Sequence, residues 1–168
     1  MSTASTATAN HFVAPIRFMI GFADMLVSDI DETRFADRCG TTINHPAFVL
    51  GHCAYYAGVG MQMLGGDIDL PDSEKDLYEH GKECLDDSSL YPNKDEAIRS
   101  FNERIQTVAD FIEQCEDDVF ETSAAGTFFE DKFPTLGAVA GFMMVSHIMF
   151  HLGQVSAWRR VAGMGSAS

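Results

Sequence analysis

From Phe133 to Trp158 the chain runs for 26 residues without a formally charged side chain. Such a stretch has to be enclosed, either by lipid or by the rest of the protein. It is long enough to cross a bilayer. Its content argues otherwise: Pro134, Gly137, Gly141 and Gly153, two histidines, Gln154 and two serines interrupt it, and no second candidate span exists. The expectation is a buried central helix.

Within it, His147 and His151 stand four residues apart. On a helix this spacing places both rings on one face, one turn above the other, where they can reach a common point. A metal ion suits that geometry, provided a third ligand comes from elsewhere.

Three further helices are expected. The first covers Phe12 to about Ile30, where Ile16, Met19, Ile20, Ala23, Leu26, Val27 and Ile30 recur at three-four spacing. A second follows Asn44 as cap and Pro46 in the first turn, and stops at Gly65-Gly66. Its inward stripe reads Phe48, His52, Tyr55/Tyr56, Val59 and Met63, which puts His52 on the buried face. An acidic, polar segment then crosses over, with a short helix from Ser73 to Cys84. The third long helix spans about Lys94 to Cys115 on a stripe of Ala97, Phe101, Ile105, Val108, Phe111/Ile112 and Cys115. The last begins after Thr135, and Leu136, Val139/Ala140, Met143, His147, Phe150/His151, Gln154 and Trp158 form its stripe. The fold class is therefore all-α, a four-helix bundle with a longer crossover between helices 2 and 3. Residues 1–10 read as a disordered lead-in, 11–163 as a single domain and 164–168 as a flexible tail.

His52, His147 and His151 thus fall on converging stripes. Three neutral imidazoles suit Zn, Ni, Fe or Cu and leave a coordination position open. Other metal chemistries fail on particular residues: a zincin needs Glu where Ile148 stands, a ferritin-like centre needs Glu where Met144 stands, and no CxxCH is present for c-type haem. A b-type haem on two of these histidines stays open, as does a bundle whose histidines hold no metal.

Around the cluster, Gln154 is a candidate to hold a ligand imidazole or a bound water. Tyr55 or Tyr56 is a candidate to line the pocket, and Arg159 to bind a substrate carboxylate, against simple packing or helix-end roles for each. Cys53 points away from its neighbour His52, and His11, His45 and His80 lie off the stripes. No catalytic acid or base is evident.

Charge narrows the partners. Twenty-five acids against eleven bases give a formal charge of -14, and twenty of the acids lie between Asp67 and Asp131. Nucleic-acid backbones and anionic membranes are bound by basic surfaces, so neither is an expected partner. Four widely spaced cysteines with no CxxC pair read as reduced thiols, and the first ten residues lack the basic and apolar regions of a secretory signal; a cytoplasmic protein is expected.

Two stretches carry a family resemblance. Asn44-His45-Pro46-Ala47-Phe48-Val49-Leu50-Gly51-His52 and His147-Ile148-Met149-Phe150-His151-Leu152-Gly153-Gln154, with Arg159-Arg160 and Gly163 following, resemble the motif helices of the DinB-like (DinB/YfiT) metal-binding superfamily. The resemblance implies a four-helix bundle, commonly dimeric, with a divalent metal (Zn or Ni, alternatively Fe) on His52, His147 and His151. Relatives of this class include bacillithiol transferases and mycothiol-dependent maleylpyruvate isomerases, so it implies a small-molecule thiol and an electrophile as partners, with the thiol activated at the metal. The alternative is a metal-binding or stress-related module without turnover. The last helix is also apolar on its other faces, at Ala138, Phe142, Val145, Met149 and Leu152, which asks either for a homodimer through this surface or for cover by the acidic crossover and the N-terminal arm.

Overall fold

The computed structural model describes residues 7–167; the disordered lead-in expected over residues 1–6 and the end of the expected flexible tail at Ser168 lie outside the described residues. Among the described residues the regular structure is helical, apart from one isolated bridge between Ser123 and Thr135.

Helix α1 covers Ala7–Val27, α2 Pro46–Met63, α3 Asp72–Tyr78, α4 Lys94–Glu113, α5 Asp117–Glu121, α6 Leu136–Gly141 and α7 His147–Val161. A turn of π-helix, Phe142–Ser146, joins α6 to α7, so the uncharged run is one long helix with a single widened turn. Helix α4 packs on α1 and α2, and α7 packs on α2 and α1, the neighbour relations of a four-helix bundle. The connection from α2 to α4 holds only the short α3 and a turn of 3-10 helix at Ser88–Leu90. Leu136–Val161 has the length and hydropathy of a membrane span, yet here it packs on the bundle and carries two of the three clustered histidines.

Several ends differ from the sequence reading. Helix α1 already includes Ala7, so residues 7–10 of the expected lead-in are helical, and Ala9 is fully buried. It also ends three residues earlier than expected. Ile30 stays in the core, while the carbonyls of Ser28 and Ile30 accept from Lys94 Nζ at 2.8 and 2.6 Å, and that of Leu26 from Arg159 at 2.9 Å. Two cations thus sit at the negative end of the helix, Arg159 on a carbonyl of its last turn and Lys94 on carbonyls of the segment that follows. The cap of α2 is His45, not Asn44: its Nδ1 accepts from the Phe48 amide at 3.1 Å. Helix α3 stops at Tyr78 instead of Cys84, and α5 was not anticipated.

Thr135 caps the last helix as expected, accepting from the Ala138 amide at 3.3 Å, and Asn93 caps α4, accepting from the Glu96 amide at 2.9 Å. Helix α4 turns Ala97, Phe101, Ile105, Val108 and Ile112 inward, as its spacing predicts.

Two glycines let α2 be approached closely. A Cβ at Gly51 would lie 2.1 Å from the Tyr78 ring, and one at Gly60 would lie 2.9 Å from the Met144 side chain. The first contact presses the end of α3 onto α2 beside His52. The second admits Met143 and Met144, consecutive residues that are both buried.

Candidate metal centre

Helix α2 brings His52 to the facing surface of α7, where His147 and His151 project from successive turns. Their Nε2 atoms converge: His147 Nε2 lies 3.1 Å from that of His151 and 3.4 Å from that of His52. The ligand atoms of all three residues lie within 4.8 Å of one another. Imidazole nitrogens about 2.0–2.1 Å from one ion in tetrahedral array are separated by about 3.4 Å, and closer in octahedral array, so the observed spacings fit a shared cation.

The outer nitrogens explain why Nε2 faces inward. His52 Nδ1–H donates to the Tyr78 carbonyl at 2.7 Å. That carbonyl belongs to the last turn of α3 and has no intrahelical partner, so the helix end is what makes it available. His151 Nδ1–H donates to Gln154 Oε1 at 3.2 Å, and Gln154 Oε1 also accepts from Asn44 Nδ2 at 3.1 Å. These bonds fix tautomer and ring orientation for both residues. His147 Nδ1 is buried without a partner among the described residues. Its proton is therefore free to occupy either nitrogen.

Protonation is disfavoured throughout. Burial first, and the neighbouring histidines second, depress His52 to about 4 and His147 to about 3. Burial also lowers His151, against a raising effect of Gln154. Three neutral imidazoles can thus present lone pairs to one point, His147 by carrying its proton on Nδ1, an arrangement that a cation stabilises.

The π-helical turn sets what stands beside His147. The His147 amide bonds the Phe142 carbonyl, five residues back. Phe142 rather than Met143 therefore occupies the turn beneath it, with ring centroids 6.0 Å apart. Turns of this type concentrate at functional sites. A stripe drawn with unbroken α periodicity, Met143 directly below His147, misplaces this segment.

A sequence profile described as the DinB superfamily matches residues 23–155. The chain belongs to the DinB superfamily. Comparison with curated proteins and with solved structures gave no match. DinB-like proteins bind metal, and the three-histidine cluster of this DinB-superfamily chain can hold an ion.

The remaining sequence candidates divide. Tyr56 lines the cluster, its ring 4.8 Å from that of His52 and 5.2 Å from that of His147, and its hydroxyl accepts from the His80 amide at 2.8 Å. Tyr55 is buried, edge-on to Tyr56. Arg159 is not at the site at all. Its guanidinium forms a two-pronged pair with Asp29 and bonds the Leu26 carbonyl, tying α7 to the end of α1.

Cys53 is buried, its thiol directed at the Ile148 carbonyl and its pKa pushed well up by burial. His45, set aside as off-stripe, is fully buried: besides capping α2 it donates from Nε2 to the Leu85 carbonyl at 3.0 Å. Sequence reasoning missed Asn44, whose polar side chain beside a histidine motif was spent on a cap, and the Tyr78 carbonyl, which no side-chain pattern announces.

Proposed function

We propose that this protein is a divalent-metal-dependent thiol S-transferase, joining a low-molecular-weight thiol to a small electrophile. The observation that supports it most is the convergence of three imidazole nitrogens from two helices, two of them oriented by hydrogen bonds at the opposite ring nitrogen. A divalent ion there, Zn or Ni before Fe, supplies Lewis acidity with its charge uncompensated by the ligands, which favours an anionic sulfur and stabilises it at neutral pH.

A thiol, with a pKa of about 8.5, needs only modest help to ionise, whereas an alcohol or water needs far more. That matches a site whose contacts are imidazoles, a tyrosine, an amide and phenylalanine rings. In the reaction the thiol proton passes to solvent, sulfur forms a bond to the electrophilic carbon, and the leaving group departs with its electron pair. His52 and His151 are held by Tyr78 and Gln154, Tyr56 covers the inner side, and the half-buried His147 and His151 border the surface.

The second reading is a metal-binding module without turnover. Elemental analysis of the purified protein and of His52→Ala tests the centre, and a metal-free wild type would sink both readings. Conjugation of a panel of small thiols to an electrophile, against His147→Ala, separates them: equal rates leave only the module.

The assembly we propose is a homodimer in the cytoplasm, with no nucleic-acid or membrane partner. Its support is a pair of uncharged exposed rows on neighbouring helices, Ala14, Phe18, Gly21 and Met25 on α1 and Ser146, Phe150, Gly153 and Ala157 on the last helix. Phe18 and Phe150 are 62% and 67% exposed. Gly21 and Gly153 have open space where a side chain would stand, so neither is needed for packing within the chain. A mid-helix glycine costs about 1 kcal/mol relative to alanine, which close approach of a second helix would offset.

A further inference from the structure

Four phenylalanines form a continuous row that ends at the metal cluster. Phe128 contacts Phe129 with centroids 5.3 Å apart, Phe129 contacts Phe142 at 5.7 Å, Phe133 contacts Phe142 at 5.4 Å, and Phe142 contacts His147 at 6.0 Å. We infer that this row is the shelf on which the electrophile lies, and that it selects an electrophile with a flat, electron-poor aromatic ring. The inference rests on the S-transferase reading of the centre and names its substrate class.

Phe129 and Phe133 rest against the core, but packing does not account for the two outward rings. Phe128 is 82% exposed and Phe142 lies at the surface. The loop that presents them is nevertheless closely bonded: Thr127 Oγ1 donates to the Ala124 carbonyl at 2.7 Å, the Gly126 amide to Glu130 Oε2 at 2.7 Å, and the Phe133 amide to the Phe129 carbonyl at 2.9 Å. These bonds brace the loop's backbone on either side of the exposed ring. The π-helical turn then sets Phe142 under His147, which joins the loop's aromatic surface to a ligand. Exposed apolar surface continuous with a candidate reaction centre marks a binding surface.

The occupant follows from the surface. The rings are mutually tilted or edge-on, an arrangement that offers both faces and edges to a further aromatic ring. Electron-withdrawing substituents are what make an aryl carbon open to attack by sulfur. They also strengthen stacking on the negative faces of phenylalanine. Lys132 Nζ, 5.6 Å above the Phe128 ring, adds a cation at the outer end, with Glu130 and Asp131 beside it in the loop. In the step implied, sulfur bonds to the ring carbon, the ring's halide leaves with the bonding pair, and the thiol proton goes to solvent.

The test is binding, free of turnover. Amide NMR titration of the full-length protein with 2,4-dinitroaniline, which is unreactive here, should shift residues 126–130 and 141–147. Cyclohexylmethanol, of similar bulk, should bind about tenfold more weakly, and the double variant Phe128→Leu/Phe142→Leu, which keeps apolar bulk but not the rings, should lose about three- to tenfold in affinity for the aryl probe. Equal binding of both probes, unchanged affinity in the variant, or shifts confined elsewhere would overturn the shelf. Aryl binding without any thiol conjugation would retain the shelf and remove the transferase reading; conjugation with no aryl preference would do the reverse.

Discussion

The His147 amide donates its hydrogen bond to the carbonyl of Phe142, five residues back, where an unbroken α-helix would use Met143. One extra residue is thereby absorbed in the turn, and both Met143 and Met144 face the core. Deleting Val145, which is only partly buried, should close the turn to four residues and make Phe142 the normal partner of His147. The cluster should then keep its metal stoichiometry by elemental analysis, while the urea midpoint falls by the equivalent of about 1–3 kcal/mol as one methionine loses its place. An alanine inserted between Ser146 and His147 should instead rotate α6 against α7 and destabilise far more. Loss of metal in the deletion variant would show that the widened turn itself shapes the centre.

Gln154 links α7 to the chain just before α2, holding His151 Nδ1 and being held by Asn44. Gln154→Leu leaves the His151 ring unoriented and its N–H unpaired, and is expected to weaken metal binding by about 10- to 100-fold in competition with a chromophoric chelator. Asn44→Ala should have the same sign and a smaller size. Gln154→Glu keeps the acceptor and should retain affinity.

The fold and the three-histidine cluster are legible because both rest on periodicity: apolar spacing marks the long helices, and the same spacing sets His52, His147 and His151 on inward stripes. What was not legible depends on main-chain groups and on counts within a turn. The Tyr78 carbonyl is available only because α3 ends there, the Phe142 contact needs the π-helical turn, and Asn44 and His45 are neighbours of which either could have capped α2. Arg159 looked like a substrate contact because sequence shows its charge but not its partner, Asp29, far away on the chain.

Acid should destabilise the protein through these histidines. His52 and His147 have folded-state values of about 4 and 3, below the ordinary 6.5, and burial also lowers His45. The unfolded chain therefore binds more protons between pH 6.5 and 4, and stability falls as pH falls through that window while staying level above it. Each such histidine contributes a slope of up to about 1.4 kcal/mol per pH unit. Urea midpoints measured on metal-free protein should drop between pH 7 and pH 5, and His147→Leu should show a shallower drop. An unchanged slope would mean that His147 is as solvated as in a peptide.

Arg159 should matter for stability and not for the centre. Its buried stem, its bond to the Leu26 carbonyl and its pair with the half-exposed Asp29 join α7 to α1. Arg159→Ala is expected to cost about 2–3 kcal/mol, largely from lost packing and the freed carbonyl, since the exposed carboxylate can return to water. Metal affinity and the KM of any conjugation should be unchanged. A raised KM with normal stability would restore the substrate-binding role that its charge suggests.

The dimer makes a prediction that separates it from a merely apolar surface. Gly153 and Gly21 stand in the exposed rows of α7 and α1 where a Cβ meets nothing within the chain. In a monomer, Gly153→Ala removes backbone freedom from the unfolded state and should stabilise by about 0.5–1 kcal/mol. In a dimer packed through this row, the added methyl instead obstructs the approach of the second copy, and Gly153→Leu more so. Light scattering with size-exclusion chromatography should show a dimer for the wild type and a shift toward monomer for Gly153→Leu and for Phe150→Glu. If the wild type is monomeric and Gly153→Ala is simply more stable, the row is free surface and the homodimer is wrong. If the wild type is dimeric and neither variant dissociates it, the second copy sits elsewhere, and the two glycines are left without a packing reason.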